Sequence, residues 1–143
     1  MQSSHPRSCG VLLEYNDRVA HLIEAGADMF LMPSRFEPCG LNQLYSLKYG
    51  TVPVVRRTGG LADTITNCTP TSLAKGTANG FSFESYGASA LLHCIRRALR
   101  LHGDPRSWRR LMRIGMAQDW SWERSAREYV TVYEKATTKL GQR

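Results

Sequence analysis

A carboxylate, a turn-forming proline, a thiol and a glycine stand side by side in Glu37-Pro38-Cys39-Gly40. They lie between an apolar run, Met29 to Met32, and a helical pattern that begins near Leu41. That order of residue types builds a ligand site. In open α/β sheets, ligands bind beyond the carboxyl end of a strand, where the next helix presents unpaired backbone N–H groups. Glu37 to Asn42 is expected there, with Gly40, Leu41 and Asn42 offering amides to an anion and Gly40 permitting an approach that a side chain would block. The plainer readings are an ordinary helix start for these three and a carboxylate favoured by the helix dipole for Glu37. Cys39 has no neighbouring base in sequence, which makes it a contact or a small buried hydrophobe rather than a nucleophile.

The elements that position these residues follow from periodicity. Four short apolar runs read as strands: Val11 to Leu13, Met29 to Met32, Val52 to Val55 and Gly80 to Phe83. Asp17 to Ala25 repeats Val19, Leu22 and Ile23 and stops at Gly26, the pattern of a short amphipathic helix. A second helix runs from Leu41 through Leu44, Tyr45 and Leu47 to Tyr49-Gly50. Pro53 predicts an edge strand or a strand start, with the ladder interrupted there. Beyond Val55, Thr58-Gly59-Gly60 forms a loop that leads into a short helix, and residues 66 to 79 read as an irregular surface excursion. Three further helices are predicted at Ala88 to Leu101, Pro105 to Gln118 and Trp122 to Leu140. Their apolar faces are Leu91, Leu92, Ile95 and Leu99 in the first, Trp108, Leu111, Met112 and Met116 in the second, and Tyr129, Val132 and Tyr133 in the third. Ser121 or Asp119 is available as a cap for the last.

Strand and helix in alternation indicate an α/β fold with a parallel sheet. Four strands make only part of a doubly wound, Rossmann-like domain, so the chain reads as the later half of a larger one, its first strand leaving an uncovered edge.

With 143 residues, 42% of them hydrophobic and 22% charged, the composition is that of one globular domain. No run is long and apolar enough to cross a bilayer, and the first residues lack a signal-peptide core, so a soluble intracellular protein without a membrane partner is expected. Cys9, Cys39, Cys68 and Cys94 form no metal-binding or disulfide pattern, and Asn67-Cys68-Thr69 fits a glycosylation triplet that nothing else supports. The net charge of +7 comes largely from Arg96, Arg97, Arg100, Arg106, Arg109, Arg110 and Arg113. Solvated helix faces explain these better than nucleic-acid binding, because only Trp108 is an interleaved aromatic.

The run from Ser34 to Tyr45, then Leu47 to Val55, then Arg56-Arg57-Thr58-Gly59-Gly60-Leu61-Ala62-Asp63-Thr64, closely resembles bacterial glycogen synthases and plant starch synthases. The resemblance reaches back to Ala20–Asp28 and forward to Trp120-Ser121-Trp122, covering roughly positions 10 to 135. It implies a partial C-terminal nucleotide-sugar-binding domain of the two-domain glycosyltransferase B architecture over residues 10–143, preceded by an unmatched or spurious segment 1–9. It implies transfer of glucose from ADP-glucose to the nonreducing end of an α-1,4-glucan with retention of configuration, and with neither a metal nor another cofactor. By the same resemblance Glu37 is the catalytic carboxylate beside the transferred glucose, able to stabilise charge on an oxocarbenium-like carbon. Tyr15 stacks on adenine, core packing being its alternative. Cys39, Gly40, Leu41, Asn42, Thr58, Gly59 and Gly60 line the donor site.

The family's glucan-binding Lys-Thr-Gly-Gly-Leu loop and diphosphate-gripping basic pair have no counterpart in this sequence. The chain is therefore expected to need a missing N-terminal domain as partner and to be inactive alone. Alternatives are a non-catalytic nucleotide- or glucan-binding remnant, or a related transferase using another nucleotide sugar. The compartment would be the cytoplasm in a bacterium and the plastid in a plant.

Overall fold

A computed structural model describes residues 4–140; of the segment 1–9, residues 1–3 lie outside that range. Three parallel strands, β1 (Met29–Met32), β2 (Val52–Arg56) and β3 (Phe81–Phe83), pair in the order β1-β2-β3. Met29 stands opposite Val52 and Met32 opposite Val55, while Val54 stands opposite Phe81 and Arg56 opposite Phe83. Among the described residues seven helices accompany them: α1 (Asp17–Gly26), α2 (Asn42–Tyr49), α3 (Gly60–Thr64), α4 (Pro70–Ala74), α5 (Ala88–His102), α6 (Pro105–Met116) and α7 (Trp122–Leu140). This is the expected partial Rossmann-like α/β sheet.

β2 is the centre of the molecule. Its alternate side chains enter two cores, as a strand covered on both faces requires. Val52 and Val54 join Phe81, Phe83, Cys94, Ala98, Trp108 and Leu111 beneath α5 and α6. Val55 joins Leu47, Leu61 and Ile65 beneath α2 and α3. Pro53 therefore lies in a central strand rather than an edge strand. Its missing donor is tolerated because the ladder to β3 begins only at Val54, one residue beyond the proline.

Helix ends follow local chemistry. Asn16 accepts a bond from the Val19 N–H (3.0 Å) and Asp104 from those of Arg106 and Ser107, each capping a helix start. Gly50 takes the left-handed conformation (φ 85°) that closes α2. At α7, Ser121 Oγ accepts from the Arg124 N–H (3.4 Å), and Asp119 accepts from the Ser121 N–H (2.9 Å).

Four further expectations need correction. Val11 to Leu13 forms no strand: a strand exists through its ladder, this run pairs with nothing among the described residues, and Leu13 is 94% exposed. Residues 66–79 are not a plain excursion. Thr69 and Ser72 make a reciprocal capping box for α4, and Asn79 is buried, accepting from the Thr66 N–H (2.7 Å) and donating to Thr64 O (2.8 Å) and Gln118 Oε1 (2.8 Å). Asparagine side chains and a single backbone bridge, Asn67 to Gly80, hold the segment, which leaves no periodic signal to read. In α5 the buried positions are the small Cys94 and Ala98, whereas Leu92 and Leu99 are exposed, because the helix lies close against Phe81 and Trp108. In α6 Trp108 and Leu111 are buried as expected, while Met116 lies over Gly50 and stays 44% exposed.

Candidate functional site

Because the strands are parallel, the segments after β1 and β2 emerge at the same end of the sheet. The first carries Glu37, Cys39, Gly40, Leu41 and Asn42; the second carries Thr58, Gly59 and Gly60. Backbone bonds join them. The Gly60 N–H donates to Glu37 O (3.1 Å) and to Pro38 O (3.2 Å). A Cβ at Gly59 would collide with the Glu37 carbonyl oxygen, and one at Gly60 with that of Cys39. Two adjacent glycines are thus required so that one backbone can lie directly on the other.

Side chains reinforce this junction. Gln43, in the first turn of α2 and fully buried, donates through Nε2 to Gly40 O (2.9 Å), Cys39 O (3.2 Å) and Thr64 Oγ1 (3.3 Å). Thr64 Oγ1 in turn donates to Gly60 O (2.7 Å). Arg56, at the end of β2, donates from Nη1 to Arg35 O (2.6 Å) and from Nε to Glu84 O (3.1 Å), and its guanidinium lies over the Tyr86 ring. Gln43, Thr64 and Arg56 support the site without having been singled out from sequence. The available signal was a polar residue at a helix position that the apolar stripe would bury.

Glu37 is half-buried, and Ser34 Oγ donates to its Oε2 (3.4 Å), so the carboxylate keeps acceptor capacity on a loop whose backbone is fixed. Cys39 is exposed, which removes the buried-hydrophobe reading. Gly40 adopts φ 71°, a conformation that favours glycine, and Gln43 Oε1 fills the space a Cβ would need. Leu41 and Asn42 begin α2 with their side chains exposed and no side chain capping the helix start.

A second cluster adjoins the first through Asn42. A cleft of about 310 Å³ is lined by Leu12, Tyr15, Asn16, His21, Asn42 and Tyr45, among others. Tyr15 is 97% exposed, so its ring is a cleft wall and not core packing. Deeper in the same cleft lies Glu24, only 4% exposed; burial pushes its carboxyl above the ordinary value, against a bond from Ser46 Oγ (3.4 Å) and the nearby His21. The structure thus gathers Tyr15 with Asn42, and Glu37, Cys39 and Gly40 with Gly59 and Gly60. Thr58 is half-buried and serves the same junction, accepting from the Leu61 N–H (3.1 Å).

Among the arginines, Arg97 is structural, donating to Asn67 Oδ1 (2.9 Å) and Cys68 O (2.8 Å). Arg106, Arg109, Arg110 and Arg113 line an open groove on α6 that shares no residue with the cleft. Among the described residues no group of three His, Cys, Asp or Glu side chains could hold a metal ion, and no helix is long and apolar enough to cross a membrane.

A glycine-backed turn and a carboxylate thus stand at the carboxyl end of a parallel sheet, the place where open α/β folds bind their ligands. Residues 7–113 match the family model for glycosyl transferases group 1, and the chain belongs to that family. It is 51% identical over 139 residues to glycogen synthase 2 of Nitrosococcus oceani, and 54% identical over 134 residues to glycogen synthase 1 of Methylococcus capsulatus. Those matches cover 97% and 94% of this chain but 28% and 27% of the relatives, so the chain spans just over a quarter of their length. Its fold matches the catalytic domain of starch synthase IV from Arabidopsis thaliana, solved with ADP and acarbose, at a TM-score of 0.83 and 32% identity. That match covers 96% of this chain and 28% of that one.

Proposed function

We propose that this chain forms the donor-binding portion of a retaining glucosyltransferase that moves glucose from ADP-glucose to the nonreducing end of an α-1,4-glucan. The observation that carries this reading is the junction of the two loops. Glu37 and the Cys39-Gly40-Leu41 backbone share one turn, locked against Gly59 and Gly60, at the end of the sheet where ligands bind. A donor of this kind presents a sugar ring, a diphosphate and a base, and the site offers a group for each. The Glu37 carboxylate can hold ring hydroxyls and oppose positive charge developing at the anomeric carbon. Backbone amides at the start of α2 suit the diphosphate, and Tyr15 offers a flat face to adenine in the cleft that Asn42 shares.

ADP in the structural neighbour and the names of the relatives support the same donor. The acarbose in that neighbour supports an oligosaccharide acceptor. In a full-length enzyme a basic pair in the earlier half of this domain adds to the grip on the diphosphate, and an N-terminal domain holds the glucan. Alone, the chain binds ADP weakly and transfers no measurable glucose, and the transfer needs no metal.

The test is transfer of labelled glucose to glycogen by a full-length enzyme carrying this sequence. Glu37→Ala lowers kcat by about 100- to 1,000-fold, the scale for removing one group that stabilises transition-state charge. ADP affinity stays within about twofold, since the carboxylate faces the sugar. Turnover that survives the change would make Glu37 structural. A parent enzyme that uses UDP-glucose and ignores ADP-glucose would refute the choice of donor.

A further inference from the structure

Gln43 is the one fully buried amide at the candidate site, and nothing in the proposed chemistry uses it. Its Nε2 binds the carbonyl oxygens of two successive residues, Cys39 and Gly40, and so draws both inward toward α2. In a trans peptide the N–H points opposite to the C=O, and the described residues contain no cis bond. The carbonyl of Cys39 shares its peptide plane with the Gly40 N–H, and the carbonyl of Gly40 with the Leu41 N–H. Each carbonyl held inward therefore turns the following amide outward. Among the described residues neither amide meets an acceptor. Gly60 acts on the preceding plane in the same way, its N–H binding Pro38 O (3.2 Å) and so turning the Cys39 N–H away from it. Successive outward amides form a concavity that suits an anion.

We infer that Gln43 is a positioning residue for phosphate recognition: by holding the Cys39 and Gly40 carbonyls it aims the Gly40 and Leu41 amides at the diphosphate of the donor. This rests on the nucleotide-sugar reading above and goes beyond it by naming what orients the amides. Gln43 touches no ligand. The left-handed Gly40 belongs to the same device, because the Gln43 amide occupies the place of a Cβ and only glycine lets the side chain reach both carbonyls. The bond to Thr64 ties the amide to the loop that carries Gly60, so the two segments hold one geometry.

The experiment compares ADP with adenosine on the ¹⁵N-labelled chain and its Gln43→Met variant, which keeps the side-chain length and removes the donor. In the unsubstituted chain ADP shifts the Gly40 and Leu41 amides and adenosine does not. In Gln43→Met the affinity for ADP falls by about tenfold or more, the scale for misaligned bonds to a charged group, while that for adenosine stays within about twofold. A merely structural role would weaken both ligands alike, and that result overturns the inference. Unchanged ADP binding by the variant also overturns it and leaves the donor reading standing. So does an ADP response at Tyr15 and Asn42 without one at Gly40 and Leu41. If neither ligand binds the unsubstituted chain, this inference falls, and the donor reading is left to the full-length enzyme. Should Gln43→Met fail to melt cooperatively, Gln43→Asn, one methylene too short to reach the carbonyls, is put through the same comparison.

Discussion

Two regions of this molecule carry apolar stripes of equal clarity and treat them differently. Around β2, β3, α2, α3, α5 and α6 the stripes meet: Leu47, Val54, Val55, Leu61, Phe81, Trp108 and Leu111 are all buried. In the region formed by residues 11–26 and α7 they stay largely uncovered among the described residues, the side of α1 that carries Val19 and Glu24 excepted. Leu12, Leu22, Ile23, Trp122, Tyr129, Val132 and Tyr133 are each more than half exposed. An amphipathic pattern shows that a face is suited to burial, whereas burial itself needs a second surface at the right distance. The two regions also flank the candidate site differently. Gln43, Gly59 and Gly60 belong to the packed region and hold the carboxylate loop, while Tyr15 stands on the unpacked one.

This contrast predicts a graded set of outcomes. The largest lies in the packed region, where Leu111→Ala removes a fully buried side chain and costs about 2–5 kcal/mol in urea unfolding. A cost below about 1 kcal/mol would mean that the two cores are far looser than their burial implies. Next is Gly60→Ala, whose methyl meets the Cys39 carbonyl; forcing two backbones apart costs about 1–3 kcal/mol and weakens ADP binding together with stability. Thr69→Ala, which breaks the capping box of α4, costs about 1 kcal/mol in the same measurement. The smallest effects fall in the unpacked region, where Leu22→Ala and Tyr129→Ala each change stability by no more than about 0.5 kcal/mol. A loss several times larger at either position would show that its face is covered in solution.

Glu24 links the regions, since it is carried by α1 and buried against α2 through Ser46. Its carboxyl is raised in the folded state, so the folded chain holds this proton more tightly than the unfolded chain does. The sign follows from linkage. Below the unfolded value the group makes no unfavourable contribution, and as pH rises from there through the folded value a destabilising one develops. Glu24→Gln is therefore expected to be more stable than the unsubstituted chain at neutral pH, the advantage vanishing in acid when both are melted across that range. An advantage that persisted unchanged in acid would place the effect in packing rather than in charge. Asp104 runs the other way. Bonds from Ser107, first, and from Arg106 hold its carboxyl below the ordinary range, so its cap on α6 persists through moderate acid and fails only as pH falls through that lowered value.

Most of the elements were legible because their signals are local. Gly26 and Gly50 mark helix ends by their own backbone chemistry, and the run from Val52 to Val55 marks a strand, although its proline pointed to the edge of the sheet and not to its centre. The loop residues of the site were legible for the same reason, a carboxylate and a glycine between strand and helix. What failed was whatever depended on a partner remote in sequence. Val11 to Leu13 has the composition of a strand and lacks a ladder, and Leu92 and Leu99 have the composition of a core face that α5 turns outward in favour of Cys94 and Ala98.

By itself, then, the sequence determined the alternation of parallel strands and helices, the turn that carries Glu37, and the family to which the chain belongs. Propensity, capping and residue order act within a few positions of one another. Only the tertiary structure decided that Gly59 and Gly60 press on the Glu37 and Cys39 carbonyls, that Gln43 closes over the Cys39-Gly40 turn, and that Tyr15 shares a cleft with Asn42. Each of these is a contact between segments whose separation along the chain is unrelated to their distance in space. Steric exclusion and hydrogen-bond geometry select them only once the sheet has brought the loops to the same end.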